Sequence, residues 1–281
     1  MSSSAHADPI TSDPSPVDWD FPPTIATVTP DSHGDRLNGI IYISQGKGPH
    51  PTVIMLHGYP GDEKNLDLAQ AIRRAGWNVV FFHYRGAWGS AGTFSVDHAL
   101  EDILAVIEFI RLPQSQRDYR IDASRIAVVG HSMGAYLALL AGPRLDSIQQ
   151  IVAMTPVNLG PVMADNPPSS RAAIAESLEA MGHGAIKSAG ADHFIKMGDD
   201  PDRYDFLEHI AHLDGKSVLI VAAARDEDTP PVYHCEPLFN QLQARRKAKV
   251  TLATLDTDHV FSTARIALAR LVIQWLADSQ P

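Results

Sequence analysis

The sequence predicts an α/β fold, in which a mostly parallel, doubly wound sheet carries antiparallel strands at its N-terminal edge and a small helical cap. Short apolar, β-branched runs alternate with helical patterns from about residue 51 onward, which is typical of a parallel sheet covered on both faces. Two earlier β-like runs flank a turn-rich stretch and indicate an edge hairpin. About sixty residues between two later strands break the alternation, which indicates an insertion over the strand ends.

Residues 1–20 are predicted to form a flexible tail, because prolines interrupt them and few apolar anchors are present. One domain over 21–281 follows, with the inserted cap at about 157–203. The predicted strands are Thr24–Thr29, Leu37–Ile43, Pro51–Leu56, Val79–Tyr84, Ile126–Val129, Ile148–Thr155, Lys216–Ala223 and Lys249–Leu255. The predicted helices are Leu66–Ala75, Val96–Arg111, one that starts just after Ser132, 233–246 and 262–278.

Composition narrows the class of protein. The 281 residues carry a formal charge of -10, and an acidic surface repels phosphate backbones and anionic lipid, so neither nucleic acid nor a membrane surface is an expected partner. A single cysteine, Cys235, excludes an internal disulfide and a multi-cysteine metal site. The first residues contain no apolar core of a signal peptide, and a cytoplasmic location is expected. The oligomeric state is not predicted.

A Gly-x-Ser-x-Gly pentad is the most informative motif in the chain. Gly130 to Gly134 stands between an apolar strand and an Ala/Leu-rich helix, which puts Ser132 on the turn. The two glycines are needed because a sharp strand-to-helix turn leaves no room for side chains beside its apex. Ser132 is therefore predicted to be a nucleophile, although a serine before a helix is often only an N-cap.

A serine nucleophile needs a base, and the base needs a carboxylate that orients it. His259 follows the last predicted strand, and Asp226 and Asp228 follow the strand before it, so all are expected at the same edge of the sheet. Asp226 is preferred because it is nearer the strand end. Asp228 stays an alternative, and Asp258 is a weaker one because it is the sequence neighbour of His259.

Backbone N–H groups that stabilise an oxyanion are the remaining requirement of acyl transfer. The N–H of Met133 is one candidate, because Met133 follows the nucleophile. The loop His57-Gly58-Tyr59-Pro60-Gly61 follows a predicted strand, and the N–H of Tyr59 is the second candidate. The loop could otherwise be a plain Gly/Pro turn.

These motifs together resemble the α/β-hydrolase superfamily over residues 25–279. The order Ser132, Asp226, His259 matches the nucleophile, acid and base order of that superfamily, and residues 57–61 resemble its oxyanion loop. The stretch Tyr84 to Ser90 is similar to a loop of dienelactone-hydrolase-like and prolyl-oligopeptidase-like members. The chain differs from the first group in having serine as nucleophile, and from the second in lacking room for a propeller. The substrate class is therefore not implied.

The leading functional hypothesis is a serine esterase. It would cleave small carboxylic esters through an acyl-enzyme on Ser132, with no cofactor and no metal. His209 and His212 stand three residues apart, but they do not match a zinc motif and no third ligand is evident. A small peptidase or amidase with the same residues, a perhydrolase and a non-catalytic binding protein are the alternatives.

Overall fold

The computed structural model describes residues 8–141, 148–182 and 184–279. The first seven residues of the predicted flexible tail lie outside this part of the chain. Residues that follow them contact the body of the protein, since Arg74 Nε donates to the Pro9 carbonyl at 2.6 Å and the Asp18 N–H donates to Gln45 Oε1 at 3.0 Å. Tail flexibility stays a prediction.

One large sheet of eight strands organises the molecule. Its strand order is the one expected for a doubly wound sheet with an N-terminal antiparallel edge, and the predicted fold class is confirmed. The strands are β1 (Thr24–Val28), β2 (Asp31–Ser32), β3 (Asp35–Arg36), β4 (Gly39–Ile43), β5 (His50–Leu56), β6 (Asn78–Phe82), β7 (Ile121–His131), β8 (Gln150–Met154), β9 (Ser217–Ala223) and β10 (Lys249–Leu255).

The order across the sheet is β1-β4-β6-β5-β7-β8-β9-β10. Strands β1, β4 and β6 pair antiparallel, and all the later pairs are parallel. Strands β2 and β3 form a separate small ladder inside the turn that joins β1 to β4. The carboxyl ends of β5 to β10 therefore meet at one edge, where the loops that carry the predicted site residues begin.

Helices cover both faces of the sheet and form one hydrophobic core on each face. The residues along a strand alternate between these two cores. Val53 and Met55 of β5 belong to the core under the first and last long helices, whereas Ile54 and Leu56 belong to the core on the opposite face. The helices are α1 (Leu66–Arg74), α2 (Val96–Arg111), α3 (Pro113–Asp118), α4 (Met133–Leu140), α5 (Leu159–Ala164), α6 (Pro168–Met181), α7 (Asp192–Ile195), α8 (Pro201–Tyr204), α9 (Pro231–Arg245) and α10 (Arg265–Asp278).

The last helix begins later than the predicted residue 262. The chain before α10 is held in a loop, since the Ser262 N–H donates to Asp258 Oδ1 at 2.7 Å and the Thr263 hydroxyl donates to Thr257 Oγ1 at 2.9 Å. These side chains offer the backbone an alternative to helical hydrogen bonds. The short helix α3 was also absent from the sequence prediction.

The stretch between β8 and β9 contains short helices and forms the cap. It runs from α5 through α8 into a 3₁₀ segment that ends at Leu213, whereas the predicted cap ends at residue 203. Backbone bridges from Ile186 to Ala87 and from Ser188 to Phe94 attach it to the loop that follows β6. His183 lies outside the described residues. No helix in the described ranges combines the length and apolarity needed to cross a bilayer.

Candidate active site

Ser132 sits at the apex of a turn between β7 and α4. Its φ of +54° is unusual for a residue with a side chain, and strained positions of this kind cluster at functional sites. A Cβ on Gly130 would lie 2.4 Å from the Gly134 carbonyl oxygen, and one on Gly134 would lie 2.2 Å from the Leu56 carbonyl oxygen. Neither position therefore has room for a side chain, as the pentad predicts.

Asp226 and His259 meet at the ends of β9 and β10. Asp226 Oδ2 lies 2.7 Å from His259 Nδ1, and Asp226 Oδ1 accepts the backbone N–H groups of Asp228 and Thr229. Burial acts to raise the pKa of Asp226, but the hydrogen bonds from His259 and Thr229 outweigh it and lower that pKa. Asp226 is therefore a carboxylate at neutral pH. The competing candidate Asp228 lines the cavity instead.

Asp258, the weaker alternative, does not orient the imidazole. Its carboxylate accepts the Ser262 N–H and the Thr257 hydroxyl, which keeps it within its own loop. An ionised carboxylate can only accept hydrogen bonds, so the Nδ1 of His259 carries the proton that Asp226 receives. The Nε2 atom of His259 is then left with a lone pair.

Two further side chains hold Asp226 and His259 in place, and neither role is predicted from the sequence. The Thr229 hydroxyl donates to Asp226 Oδ2 at 2.7 Å and lies 3.2 Å from His259 Nδ1. His131 Nε2 donates to the His259 carbonyl oxygen at 3.0 Å. Burial lowers the pKa of His131 to about 4, so its ring is neutral at pH 7. An Asp-x-x-Thr spacing at a helix start was the available signal for Thr229.

A cavity of about 270 Å³ opens beside the serine. Four of the five predicted site residues line it, and Asp226 lies behind His259. Within the described residues, the Ser132 hydroxyl forms no hydrogen bond with His259; such contacts are often long before a substrate binds. Apolar side chains of the cap close the cavity on the other side. Its lining consists of Tyr59, Ser132, Met133, Val157, Leu159, Leu178, Met181, Phe194, Asp228, Thr229 and His259.

The two predicted oxyanion donors lie on either side of Ser132. Met133 is the first residue of α4, so by position its N–H has no acceptor inside the helix. The loop after β5 approaches the serine closely, since a Cβ on Gly58 would lie 3.0 Å from Ser132 Cβ. Tyr59, the next residue, lines the cavity with Ser132 and Met133. The oxyanion roles of these two N–H groups stay predictions.

Trp88 forms contacts that hold the loop containing Tyr59 in place. Its indole N–H donates to the Pro60 carbonyl oxygen at 2.8 Å, and Lys64 Nζ lies 3.6 Å from the centre of its ring. The Trp88 backbone N–H donates to the Ala185 carbonyl oxygen of the cap at 2.8 Å. Trp88 therefore bridges the loop 57–61 and the cap. The sequence gives no signal for this bridge, because Pro60 and Trp88 are distant along the chain.

An ion pair supports the base of the loop that carries Trp88. Asp102 of α2 is buried and accepts hydrogen bonds from the Arg85 backbone N–H and the Arg85 side chain, each at 2.7 Å. The Ser32 hydroxyl donates to the same carboxylate at 2.6 Å. Burial raises the pKa of Asp102 above its ordinary value, against the effect of these bonds. A buried charge pair of this kind is retained only with most of its hydrogen bonds made.

One group of side chains in the described ranges could offer three ligand atoms to a metal ion, namely Asp226, Asp228 and His259, with atoms within 4.8 Å of one another. Both Asp226 oxygens and the Nδ1 atom of His259 are already engaged in hydrogen bonds. This donor set suits a hydrogen-bonded acid and base better than a cation site.

The site and the sheet together define a class of α/β protein, in which a serine elbow stands beside an acid and a histidine at the strand ends. The chain belongs to the alpha/beta hydrolase family, whose sequence pattern matches residues 53–271. The matched range runs from β5 into α10 and includes Ser132, Asp226 and His259. The resemblance noted from the sequence is thereby confirmed at the level of the superfamily.

Solved structures share the fold at low sequence identity. Est1E from Butyrivibrio proteoclasticus with ferulic acid bound has a TM-score of 0.66 at 18% identity, over 90% of this chain and 98% of that chain. An esterase from Pyrococcus furiosus has a TM-score of 0.65 at 19% identity, over 94% and 96%. A hypothetical protein from Pseudomonas aeruginosa has a TM-score of 0.70 at 15% identity, over 94% and 96%. These similarities establish the fold alone.

A curated relative shares part of the sequence. An uncharacterized protein of Mycobacterium tuberculosis is 34% identical to this chain over 107 residues, which are 38% of this chain and 36% of that protein. The chain therefore matches about a third of the length of this relative. The similarity does not assign a reaction, and the activity must be argued from the site.

Proposed function

We propose that this protein is a serine hydrolase that cleaves small carboxylic esters through a covalent acyl-enzyme. The observation that carries the proposal is the hydrogen bond of 2.7 Å between Asp226 Oδ2 and His259 Nδ1, beside a cavity that Ser132 and His259 both line. A carboxylate, an imidazole and a hydroxyl in this order are the groups that nucleophilic catalysis by serine requires.

In the first step, the Ser132 oxygen attacks the carbonyl carbon of the ester. His259 Nε2 takes the hydroxyl proton, because Nδ1 already donates to Asp226. The imidazolium that forms is stabilised by the Asp226 carboxylate. The backbone N–H groups of Tyr59 and Met133 stabilise the oxyanion, and a donor of this kind is typically worth about 3 kcal/mol in the transition state.

Acylation ends when His259 gives its proton to the departing alcohol, the tetrahedral intermediate collapses and the acyl group stays on Ser132. In the second half, water attacks the acyl-enzyme and His259 takes a proton from it. His259 returns this proton to the Ser132 oxygen as the acyl bond to Ser132 breaks, which releases the carboxylic acid and restores the serine. The apolar cap side of the cavity suits the hydrocarbon part of a small ester. Est1E with bound ferulic acid and the Pyrococcus furiosus esterase agree with this substrate class.

The proposal is tested by Ser132→Ala. We expect this variant to lose hydrolysis of p-nitrophenyl butyrate and labelling by a fluorophosphonate, with an unchanged melting temperature, because it removes only the attacking oxygen. Ser124→Ala is a matched control, since Ser124 is exposed at the other end of β7. Full activity in Ser132→Ala, or equal losses in both variants, would contradict the proposal.

The same assays separate the alternatives. A non-catalytic binding protein should not react with the fluorophosphonate. A peptidase or amidase should cleave the p-nitroanilide of the same acid with a kcat/KM close to that for the ester, since it must protonate the poorer leaving group. We expect the ester to be preferred.

A further inference from the structure

Two side chains of the cap and one from the loop beneath it carry buried polar atoms that have no hydrogen-bond partner among the described residues. They are the Tyr59 hydroxyl, Glu179 Oε2 and both ring nitrogens of His193. Buried polar groups in folded proteins are nearly always paired, so an unpaired set needs a physical reason. None of these side-chain groups takes part in the ester chemistry described above, where Tyr59 acts only through its backbone N–H.

The Tyr59 ring is connected to His193 through Phe194, and the Tyr59 hydroxyl lies near the C-terminal end of α6, which carries Glu179. The Tyr59 ring lies against Phe194 with centroids 5.7 Å apart, and the Phe194 ring lies 3.8 Å from that of His193. A Cβ on Gly182 would be 3.3 Å from the Tyr59 hydroxyl and 3.2 Å from the Glu179 carbonyl oxygen. The end of α6, the Tyr59 hydroxyl and the start of α7 therefore surround one small region.

Electrostatic interactions join the same groups. Burial, together with the negative charge of Glu179, raises the pKa of Tyr59 to about 12. Burial lowers the pKa of His193 to about 4, although Glu179 acts in the opposite direction. At neutral pH, Tyr59 therefore keeps its proton and His193 is neutral, with one nitrogen that donates and one that accepts.

This polar cluster borders the cavity beside Ser132. Tyr59 itself lines that cavity, as do Leu178 and Phe194, which are the chain neighbours of Glu179 and His193. Met181 also lines the cavity; it is 40% exposed, and its unbranched side chain has three rotatable bonds. Rotation of Met181 is the movement that we expect to admit a bound molecule to the cluster.

The donors and acceptors of the cluster decide which ligand group fits it. Glu179 accepts only, whereas Tyr59 and His193 each supply a donor as well. An ammonium group can only donate, so it would leave the donors of Tyr59 and His193 unpaired. A carboxylate can only accept, so it would leave Glu179 unpaired. A hydroxyl group is neutral and has one donor and two acceptor lone pairs, so it can donate to Glu179 and accept from both Tyr59 and His193.

We propose that Tyr59, Glu179 and His193 form a polar subsite that binds a hydroxyl group of the ester substrate, remote from the scissile bond. The inference rests on the proposed function and adds the substrate class: esters with an apolar spacer that ends in a hydroxyl. The apolar lining contacts the spacer, and the polar subsite selects its end.

Four esters of one chain length test the subsite: methyl hexanoate, methyl 6-hydroxyhexanoate, methyl 6-aminohexanoate and monomethyl adipate. We expect kcat/KM to be highest for the hydroxy ester, by about tenfold or more over the plain ester, because the plain ester leaves buried polar groups unpaired. Equal values for the hydroxy and plain esters would overturn the subsite, and so would a preference for the amino ester or the adipate.

Substitutions in the subsite test which residues cause the preference for the hydroxy ester. Glu179→Gln and His193→Phe are each expected to lower the ratio of kcat/KM for the hydroxy ester over the plain ester toward one. Glu176→Gln is the matched control, since Glu176 is exposed on the same helix one turn away, and it should keep the ratio. A ratio unchanged in both subsite variants would overturn the proposal. If one of them fails to fold by circular dichroism, the other decides.

Failure of the subsite can be told from failure of the proposed function. A wild-type protein that hydrolyses all four esters without preference keeps the function and loses the subsite. A wild-type protein that hydrolyses none of them, nor any aryl ester, loses the function. Binding then tests the subsite directly, with 1,6-hexanediol expected to give stronger saturation-transfer NMR signals than hexan-1-ol, and equal signals contradicting it.

Discussion

One wall of the cavity is formed by loops at the sheet edge, and the other is formed by the cap. Different contacts stabilise the two walls. In the sheet-edge wall, both oxygens of Asp226 accept hydrogen bonds, and the pentad glycines touch neighbouring backbone. In the cap wall, Ala175 is the single buried residue of the 14 in α6. Glu179 and His193 have buried polar atoms without described partners.

This contrast separates reaction geometry from substrate choice. Atoms that must sit within a fraction of an ångström of a reacting carbonyl are fixed by backbone contacts and a full set of hydrogen bonds. The side chains proposed to select the substrate lie on largely exposed cap helices, where sequence changes cost little stability. We therefore expect changes at the sheet edge to alter rate and folding, and changes in the cap to alter specificity.

The largest expected effect is on the orienting carboxylate. Asp226→Asn should lower kcat by about 10⁴, because the neutral amide no longer holds His259 with its proton on Nδ1. Steady-state kinetics on p-nitrophenyl butyrate measures this loss. Asp228→Asn is the control, because the Asp228 carboxylate lies within 4.8 Å of His259 but forms no hydrogen bond with it among the described residues, and this variant should retain most of the activity. A larger loss of kcat in Asp228→Asn than in Asp226→Asn would contradict this assignment and make Asp228 the carboxylate that orients His259.

Glycine substitutions compare the stability of the two walls. Gly134→Ala should destabilise the protein by at least about 3 kcal/mol, because its Cβ would overlap the Leu56 carbonyl. Gly184→Ala in the cap meets no atom within 4 Å, and its positive φ of +77° costs about 1 to 2 kcal/mol. Urea unfolding measures both. Equal losses would show that the walls are equally rigid.

Buried histidines make the sheet edge sensitive to acid. Burial lowers the pKa of His57 and of His131 to about 4 in the folded protein, from 6.5 when exposed. As the pH falls from 6.5 to 4, the unfolded chain binds these protons and the folded protein does not. The free energy of unfolding therefore decreases over that range, by roughly 3 kcal/mol for each histidine.

Urea unfolding at pH 7.5 and pH 4 checks this dependence. His131→Gln keeps a hydrogen-bond donor and cannot be protonated, so its loss of stability between the two values should be smaller by roughly 3 kcal/mol. His212→Gln, at an exposed position, is the matched control and should behave as the wild type. An unchanged loss in His131→Gln would mean that the folded ring binds its proton readily.

The sheet could be predicted from the sequence because its signals are local. Apolar β-branched runs predict β5 to β9, and two glycines around Ser132 predict a turn between strand and helix. The two acids were harder to separate, since Asp226 and Asp228 are two residues apart on one loop. The preference for Asp226 agrees with its contact to His259, which depends on how Thr229 folds that loop back.

Other parts of the site could not be predicted, because they depend on contacts between distant segments. Pro60 and Trp88 belong to loops after different strands, and no sequence pattern at either position predicts their hydrogen bond. The same is true of His131 and the carbonyl of His259. The cap is predicted from an interruption of the strand and helix alternation, but the periodicity in this stretch is weak, so the order and contacts of its helices are not predicted.

Trp88 connects two parts of the protein, the loop 57–61 and the cap. One end of this residue is bonded to Pro60, beside the predicted oxyanion donor, and the other to Ala185 in the cap. A displacement of the cap by an incoming molecule would therefore move Trp88 and, with it, the loop 57–61. On the proposed function, we expect recognition at the far end of a substrate to be coupled to the rate of its cleavage.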